Sequence, residues 1–236
     1  MGTPAGKPEP RRATYAAAPE RVLNASRFVP RYAPEVSLLR HDQGHLRRAA
    51  APAFWALVPF HVQQPDDVSC GPASVAVVLG ALRARAGHAP PQVDHNAVVT
   101  LAGGPRGEGF TLVELADLVS RGLAAAELEG EVAAVHMEDP GAVAGEIRGD
   151  LGALEAGRIF LIANFAVAPL LGVVDVGHHS PIGGYDAATD RVLVLDVYRR
   201  TFEPYWAPAS LLIDAMAAVD PMSGRARGYV KVAPAS

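Results

Sequence analysis

Hydrophobic positions follow two regimes along the chain. From about residue 31 to residue 157 most of them recur at helical spacing or fill helix-length runs. From Arg158 onward they gather into short β-rich runs parted by polar turns. The run from Cys70 to Gly87, CGPASVAVVLGALRARAG, is almost entirely small or aliphatic and reads as a buried helix, with Pro72 suited to its first turn and Gly87 to its C-cap. Thr111 predicts an N-cap with Glu114 at the third helical position, and Leu112, Leu115, Leu118 and Val119 form the buried stripe that follows. Glu35 to Arg48 reads as an amphipathic helix and Phe54 to Val62 as an extended apolar segment leading to Gln64. His88, His95 and the glycines at 103, 104, 107 and 109 fall in a loop region.

Glu131 to Met137 predicts a strand, and Pro140 to Gly157 a helix weakened by Gly145 and Gly149. Strands follow over Arg158 to Val167, Val174 to Tyr185, Arg191 to Tyr198 and Arg227 to Val232, with a helix at Pro208 to Val219. Helices first and mostly antiparallel strands after is an α+β pattern, and no internal repeat is visible. Residues 1 to about 30 are rich in Pro, Ala and Arg without apolar periodicity and are expected to form a flexible arm ahead of one domain over 31–236.

Composition narrows the function classes. The 236 residues, half of them hydrophobic, suffice for one full-sized core. With 21 basic and 25 acidic residues the formal charge is -4, which gives no electrostatic footprint for nucleic acid or an anionic membrane. One cysteine excludes an internal disulfide and a thiolate-rich zinc site, and it fits a reducing compartment. Without an apolar run long enough for a membrane span or a secretory signal, the expectation is a cytoplasmic protein.

Chemistry concentrates on that cysteine. A thiol at the start of a helix is acidified by the helix dipole and the unpaired N–H groups, which raises its thiolate fraction near neutral pH. Gly71 beside it would let a substrate backbone come close. Gln64, six residues upstream, could join the Cys70 N–H in an oxyanion hole, a spacing like that of papain-like enzymes. The base and its orienting carboxylate are sought in the late strands. His178 and His179 lie in VGHHSPIGGYD and Asp196 in RVLVLDV. If Tyr185 faces Arg191 across the turn, His178 and Asp196 share a face on neighbouring rungs; a one-residue change in the turn puts His179 there instead, so periodicity leaves the choice open. Asp196 is the one acid in an apolar strand and should have a partner. Together these residues point to a papain-like cysteine acyl-transfer site.

Elsewhere the signals are plainer. His41 and His45 stand at metal-ligand spacing, but Arg40, Arg47 and Arg48 surround them and no third ligand follows, which favours a solvated helix face. GGPRGEG lacks the strand and the Lys-Ser/Thr of a phosphate loop and reads as a turn.

At QPDDVSCGPAS, GHHSPIGGYDAATDRVLVLDVYRRTFEPYW, LLIDAMAAVD and GRARGYV the sequence resembles the phytochelatin synthase family, papain-like enzymes acting on glutathione, in the short bacterial form. The resemblance implies Cys70 as nucleophile, His178 as the histidine of the Gly-His-x-Ser-Pro motif with His179 at its variable position, Asp196 as the aspartate eighteen residues on, and Gln64 as the oxyanion glutamine. The implied reaction is attack on the Cys-Gly bond of glutathione, loss of glycine, and passage of the γ-glutamylcysteinyl group to water or a second glutathione. Arg199 and Arg227 lie in the matching motifs and are candidates to bind substrate carboxylates.

No tightly bound cofactor is implied; cadmium or zinc would enter as a glutathione thiolate complex. The partner is then a small thiol peptide, with neither nucleic acid nor membrane, and a homodimer is an option the sequence leaves open. Two departures stand out: the cysteine-rich C-terminal region of the plant enzymes is not represented, and NFAVAPLLGVVD from Asn164 to Asp175 lacks the cation usual in the family. That apolar segment motivates the alternative of a peptidase or amidase with another substrate. A non-catalytic metal-buffering protein is the third reading, disfavoured by a single thiol.

Overall fold

The computed structural model describes residues 32–88, 93–172, 176–198 and 202–235. The expected N-terminal arm lies outside them. In chain order the elements are β1 (Ser37–Leu38), α1 (Gly44–Arg48), α2 (Pro52–Leu57) with a 3-10 turn at Val58–Phe60, α3 (Cys70–Arg85), α4 (His95–Leu101), α5 (Leu112–Ala125), β2 (Gly130–His136), α6 (Pro140–Glu155) and β3 (Phe160–Ala166). They continue with α7 (Ala168–Leu171), β4 (Gly177–Asp186), β5 (Arg191–Val194), β6 (Tyr205–Pro208), α8 (Ala209–Ala217), β7 (Val219–Asp220), β8 (Arg225–Ala226) and β9 (Gly228–Pro234). Seven strands form one antiparallel sheet in the order β1-β6-β5-β4-β3-β9-β2, and β7 and β8 pair separately. The α+β class is as expected.

Helices cover both faces of the sheet, and this is why β3 reads as the unbroken run FLIANFA, buried at every position. Its odd-numbered residues Leu161, Ala163 and Phe165 pack with α6, α7 and α8. Its even-numbered Phe160 and Ile162 pack with α2, α3 and α5. The buried side chains of α3 surround it, as a helix wedged between sheet and neighbouring helices requires. It ends as the sequence predicts, with Gly87 in the left-handed region at φ 74. On α5 the capping box is complete: Thr111 Oγ1 accepts from the Glu114 N–H at 3.3 Å, and Glu114 Oε2 accepts from the Thr111 N–H at 2.8 Å.

Four sequence expectations are corrected. Glu35–Arg48 is not one helix, because Ser37 and Leu38 pair with Trp206 and Tyr205 and only Gly44–Arg48 is helical; His41 and His45 therefore do not share a helix face. Phe54–Val62 is helical up to Phe60 rather than extended, since Pro52 opens a helix whose Phe54 and Leu57 both enter the core. Residues 95–101, expected as loop, form α4, with Asp94 Oδ1 accepting from the Ala97 N–H at 2.8 Å; only Val98 is buried there, too short a stripe to show as periodicity. Strand β5 stops at Val194, so Asp196 lies in the segment just beyond it. Among the described residues no helix is long and apolar enough to cross a membrane.

Candidate active site

Cys70 is the first residue of α3 and is buried at 6% exposure, packed with Ala73 and Val197. The preceding Ser69 gives no side-chain cap, its hydroxyl donating instead to the Asp66 carbonyl at 3.4 Å. The first N–H groups of the helix thus keep their partial positive charge beside the sulfur.

A β-bulge chooses between the adjacent histidines. Asp186, Tyr185 and Gly184 pair with Arg191, Val192 and Leu193, one residue out of the register that would place His178 with Asp196. Gly183 is then skipped, and Ile182 pairs with Val194. Leu195 N–H donates to the Pro181 carbonyl at 2.9 Å, so the corrected register runs on toward the site. Beyond the bulge His178 and Asp196 share a face, and His178 Nε2 lies 3.0 Å from Asp196 Oδ1. The expected facing of Tyr185 and Arg191 is therefore wrong by one residue, and the bulge restores its consequence. Only glycine fits at 183, where a Cβ would lie 2.7 Å from Cγ of the fully buried Leu195.

Asp196 is fully buried. Its Oδ1 also accepts from the Tyr198 N–H at 2.8 Å, and His61 Nε2 sits 3.0 Å from its carbonyl oxygen. His178 is edge-on to Phe165, the ring centroids 5.6 Å apart. With Nε2 committed to Asp196, Nδ1 is the nitrogen left for the hydrogen bond by which His178 acts on the Cys70 thiol. His179 leaves the strand on the α3 side, and its Nδ1 lies 3.6 Å from Cys70 Sγ. Burial alone would raise the Cys70 pKa, but hydrogen bonds from His178 and His179 and the positive charge of His178 outweigh it and hold the thiol well below its usual range. Burial works against the His178 imidazolium; the Asp196 carboxylate, then the thiolate, overcome it and push the pKa up to about 10. The site thus favours a thiolate–imidazolium pair at neutral pH.

Gln64 is buried and tied to the site through its backbone N–H, 2.9 Å from the carbonyl of Val197, which packs on Cys70. Its Nε2 donates one proton to the Asp66 carbonyl at 2.7 Å, and its Oε1 has no partner among the described residues. Gly71 does not face open space. A Cβ there would meet Phe110 and Leu115 at 3.2 Å, so the close approach expected of a substrate is made by α5 and the loop before it.

Arg227 is buried, with Nη1 donating to Asn164 Oδ1 at 2.9 Å and Nη2 3.7 Å from Asp220 Oδ1; its Nε has no partner among the described residues. It packs directly over Gly177, next to His178. Gly228 behind it runs so close to the Val135 carbonyl that no side chain fits, which lets β9 deliver the guanidinium inward. A cation therefore does face the Asn164 strand, supplied from the start of β9. Arg199 lies outside the described residues.

Asn164, Asp220 and Ser74 are the polar residues here that the sequence does not single out, whereas His179, weighed there against His178 as the partner of Asp196, lies at the thiol instead. Asn164 alone carried a signal, a polar residue inside an apolar strand. The apolar side chains Phe165, Val167, Leu170 and Leu171 of the NFAVAPLL segment are spent on the core. His45, considered as a metal ligand, lies 2.9 Å from Glu155 and 3.6 Å from Asp186.

A phytochelatin synthase family model matches residues 105–229, more than half of the chain. The chain belongs to the phytochelatin synthase family. Among its curated relatives, glutathione gamma-glutamylcysteinyltransferase 2 of Arabidopsis thaliana is 50% identical over 56 residues, 24% of this chain and 12% of that protein. Glutathione gamma-glutamylcysteinyltransferase 3 of Lotus japonicus is 54% identical over 54 residues, 23% and 11% of the two chains. The Schizosaccharomyces pombe glutathione gamma-glutamylcysteinyltransferase is 38% identical over 65 residues, 28% and 16%. The matched segments thus cover less than a fifth of these relatives. The span matched to the phytochelatin synthase family contains His178, Asp196 and Arg227, whereas Gln64 and Cys70 precede it.

Proposed function

We propose that this chain is a papain-like acyltransferase acting on glutathione, with Cys70, His178 and Asp196 as its catalytic triad. The observation that carries the reading is the buried thiol on an uncapped helix start beside an imidazole whose far nitrogen is 3.0 Å from a fully buried carboxylate. Membership of a family whose relatives bear the name glutathione gamma-glutamylcysteinyltransferase supplies the substrate.

The Cys70 thiolate attacks the carbonyl carbon of the Cys-Gly peptide bond. The oxyanion is stabilised by the Cys70 N–H and the second Nε2 proton of Gln64. Imidazolium His178 gives its proton to the nitrogen of glycine, the C–N bond breaks, and a γ-glutamylcysteinyl thioester remains on Sγ. His178, now neutral and oriented by Asp196, takes a proton from water or from the amine of a second glutathione. That nucleophile adds to the thioester, and Sγ leaves as thiolate. Arg227, with its Nε uncommitted among the described residues, supplies a buried cation for a substrate carboxylate. Arg199 is the second cation of this reading, and cadmium or zinc takes part as the thiolate complex of the substrate.

The test is mass spectrometry of the protein mixed briefly with glutathione, with and without cadmium, beside Cys70→Ala. A γ-glutamylcysteinyl adduct on Cys70 with released glycine is expected. If Cys70 alkylates rapidly at neutral pH yet neither adduct nor glycine forms, glutathione is the wrong substrate.

A further inference from the structure

The triad leaves one buried group at the sulfur without a task. His179 is 3% exposed, its Nδ1 is 3.6 Å from Sγ, and its Nε2 is buried with no partner among the described residues. Ser74, one turn after Cys70 on α3, donates its hydroxyl proton to the His179 carbonyl at 3.1 Å, so thiol and ring are fixed to the same helix. A neutral imidazole has one N–H and one bare nitrogen. Burying a bare acceptor without a partner is less costly than burying an unpaired N–H. The proton therefore belongs on Nδ1, where it meets the sulfur.

We infer that His179 is a further catalytic residue, a fixed Nδ1–H donor to the Cys70 thiolate that takes no part in proton transfer. This rests on Cys70 being the nucleophile of the proposed reaction. The division of labour follows from the fold. His178 must give up its proton when glycine leaves, and from then until the acyl group departs it offers the sulfur no positive charge. His179 keeps its proton throughout, so the sulfur meets a donor each time negative charge returns to it, most of all as thiolate leaves the thioester. A better-stabilised thiolate is a better leaving group, and the step that gains most is deacylation. Phenylalanine at 179 would keep the ring and remove the donor; asparagine would keep an N–H near the Nδ1 position and remove the ring.

Cys70 is the only cysteine, so alkylation of the whole chain by iodoacetamide is a one-site signal. Rates across pH 5 to 10 are compared for the native chain, His179→Phe and His179→Asn. His179→Phe is expected to shift the midpoint toward alkaline pH and to slow alkylation at pH 6 by roughly tenfold or more, the worth of one charge-assisted hydrogen bond. His179→Asn is expected to return to within about threefold of the native rate. Nitrogen NMR of the unmodified protein labelled at its histidines reads the tautomer directly, free of any folding defect in the variants; proton on Nδ1 at pH 8 is the expected result.

A phenylalanine variant with the native profile, two variants equally impaired, or the proton on Nε2 would each overturn the inference. The outcomes separate it from the wider reading. An acid-shifted native profile, lost in His179→Phe, with no glutathione adduct keeps His179 and discards the substrate, whereas an ordinary thiol profile in the native chain discards both.

Discussion

At the scale of single residues, the two charged partners of the site differ in what they need. Asp196 is fully buried, so His178 is its main source of positive charge, while Cys70 draws on two imidazoles and a helix start. An ordinary thiol is thiolate to well under 1% at pH 6 and alkylates about a hundredfold faster at pH 8. The native chain should instead show nearly equal iodoacetamide rates at these two values, and a hundredfold ratio would mean that the thiolate is not held. In the proposed mechanism Gln64 serves the oxyanion and not the sulfur, so Gln64→Ala should lower the acylation rate by about 10²–10³-fold without altering the alkylation profile. Single-turnover glycine release measures that loss, and a loss under about threefold would remove Gln64 from the oxyanion site. Cys70, Gln64 and Asp196 stand out in the sequence because each is an unusual residue for its place, and the two adjacent histidines stand out together. Which of them meets Asp196 and which the sulfur was not legible from spacing, since it depends on the bulge in β4 and on contacts from α3 that one strand cannot contain.

At the scale of elements, the β4–β5 hairpin shows where sequence reading stops. The polar turn and the flanking strands were legible, and the glycine pair 183–184 stood in plain view. The skipped residue was not legible, because a bulge arises from the misfit between two registers: one imposed by the turn at Asp186–Arg191, the other by β3, whose Ile162 pairs with Pro181. Gly183→Ala must displace Leu195 or drive out the bulge, at a cost of about 1–3 kcal/mol. Thermal unfolding should show the drop, and alkylation should slow because His178 loses its alignment with Asp196. An unchanged melting temperature together with an unchanged alkylation rate would mean that the hairpin has another way to change register. Short pieces such as β1, β6 and β7 escaped the sequence for a different reason. They are two to four residues long, and partners already in place make them strands.

For the whole molecule, the ion pair sets how stability responds to pH. His178 is raised to about 10 in the folded chain, against about 6.5 when unfolded, so alone its contribution is full below about 6.5 and is lost as pH climbs through 10. Cys70 is lowered, so its contribution is present above about 8.5–9 and is lost as pH falls toward its folded value. Between about 6.5 and 8.5 the folded pair and the unfolded pair bind the same one proton, and the two slopes cancel. Native stability should therefore be flat across that window as far as this pair decides it. Cys70→Ala should bring out the histidine alone, with stability falling by up to about 1.4 kcal/mol per pH unit as pH rises. Urea titrations at pH 6.5, 7.5 and 8.5 give both slopes. Equal slopes for the two chains would show that the thiolate and imidazolium do not coexist.

His178 and His179 leave one strand toward opposite helical layers, and the thiol sits where their influences meet. Loosening the α6–α8 layer moves the first ring, and loosening α3 against the sheet moves the second. The acidity of a single sulfur is thus a gauge of packing in both helical layers, and damage far from Cys70 will register there as blunted reactivity before the chain unfolds.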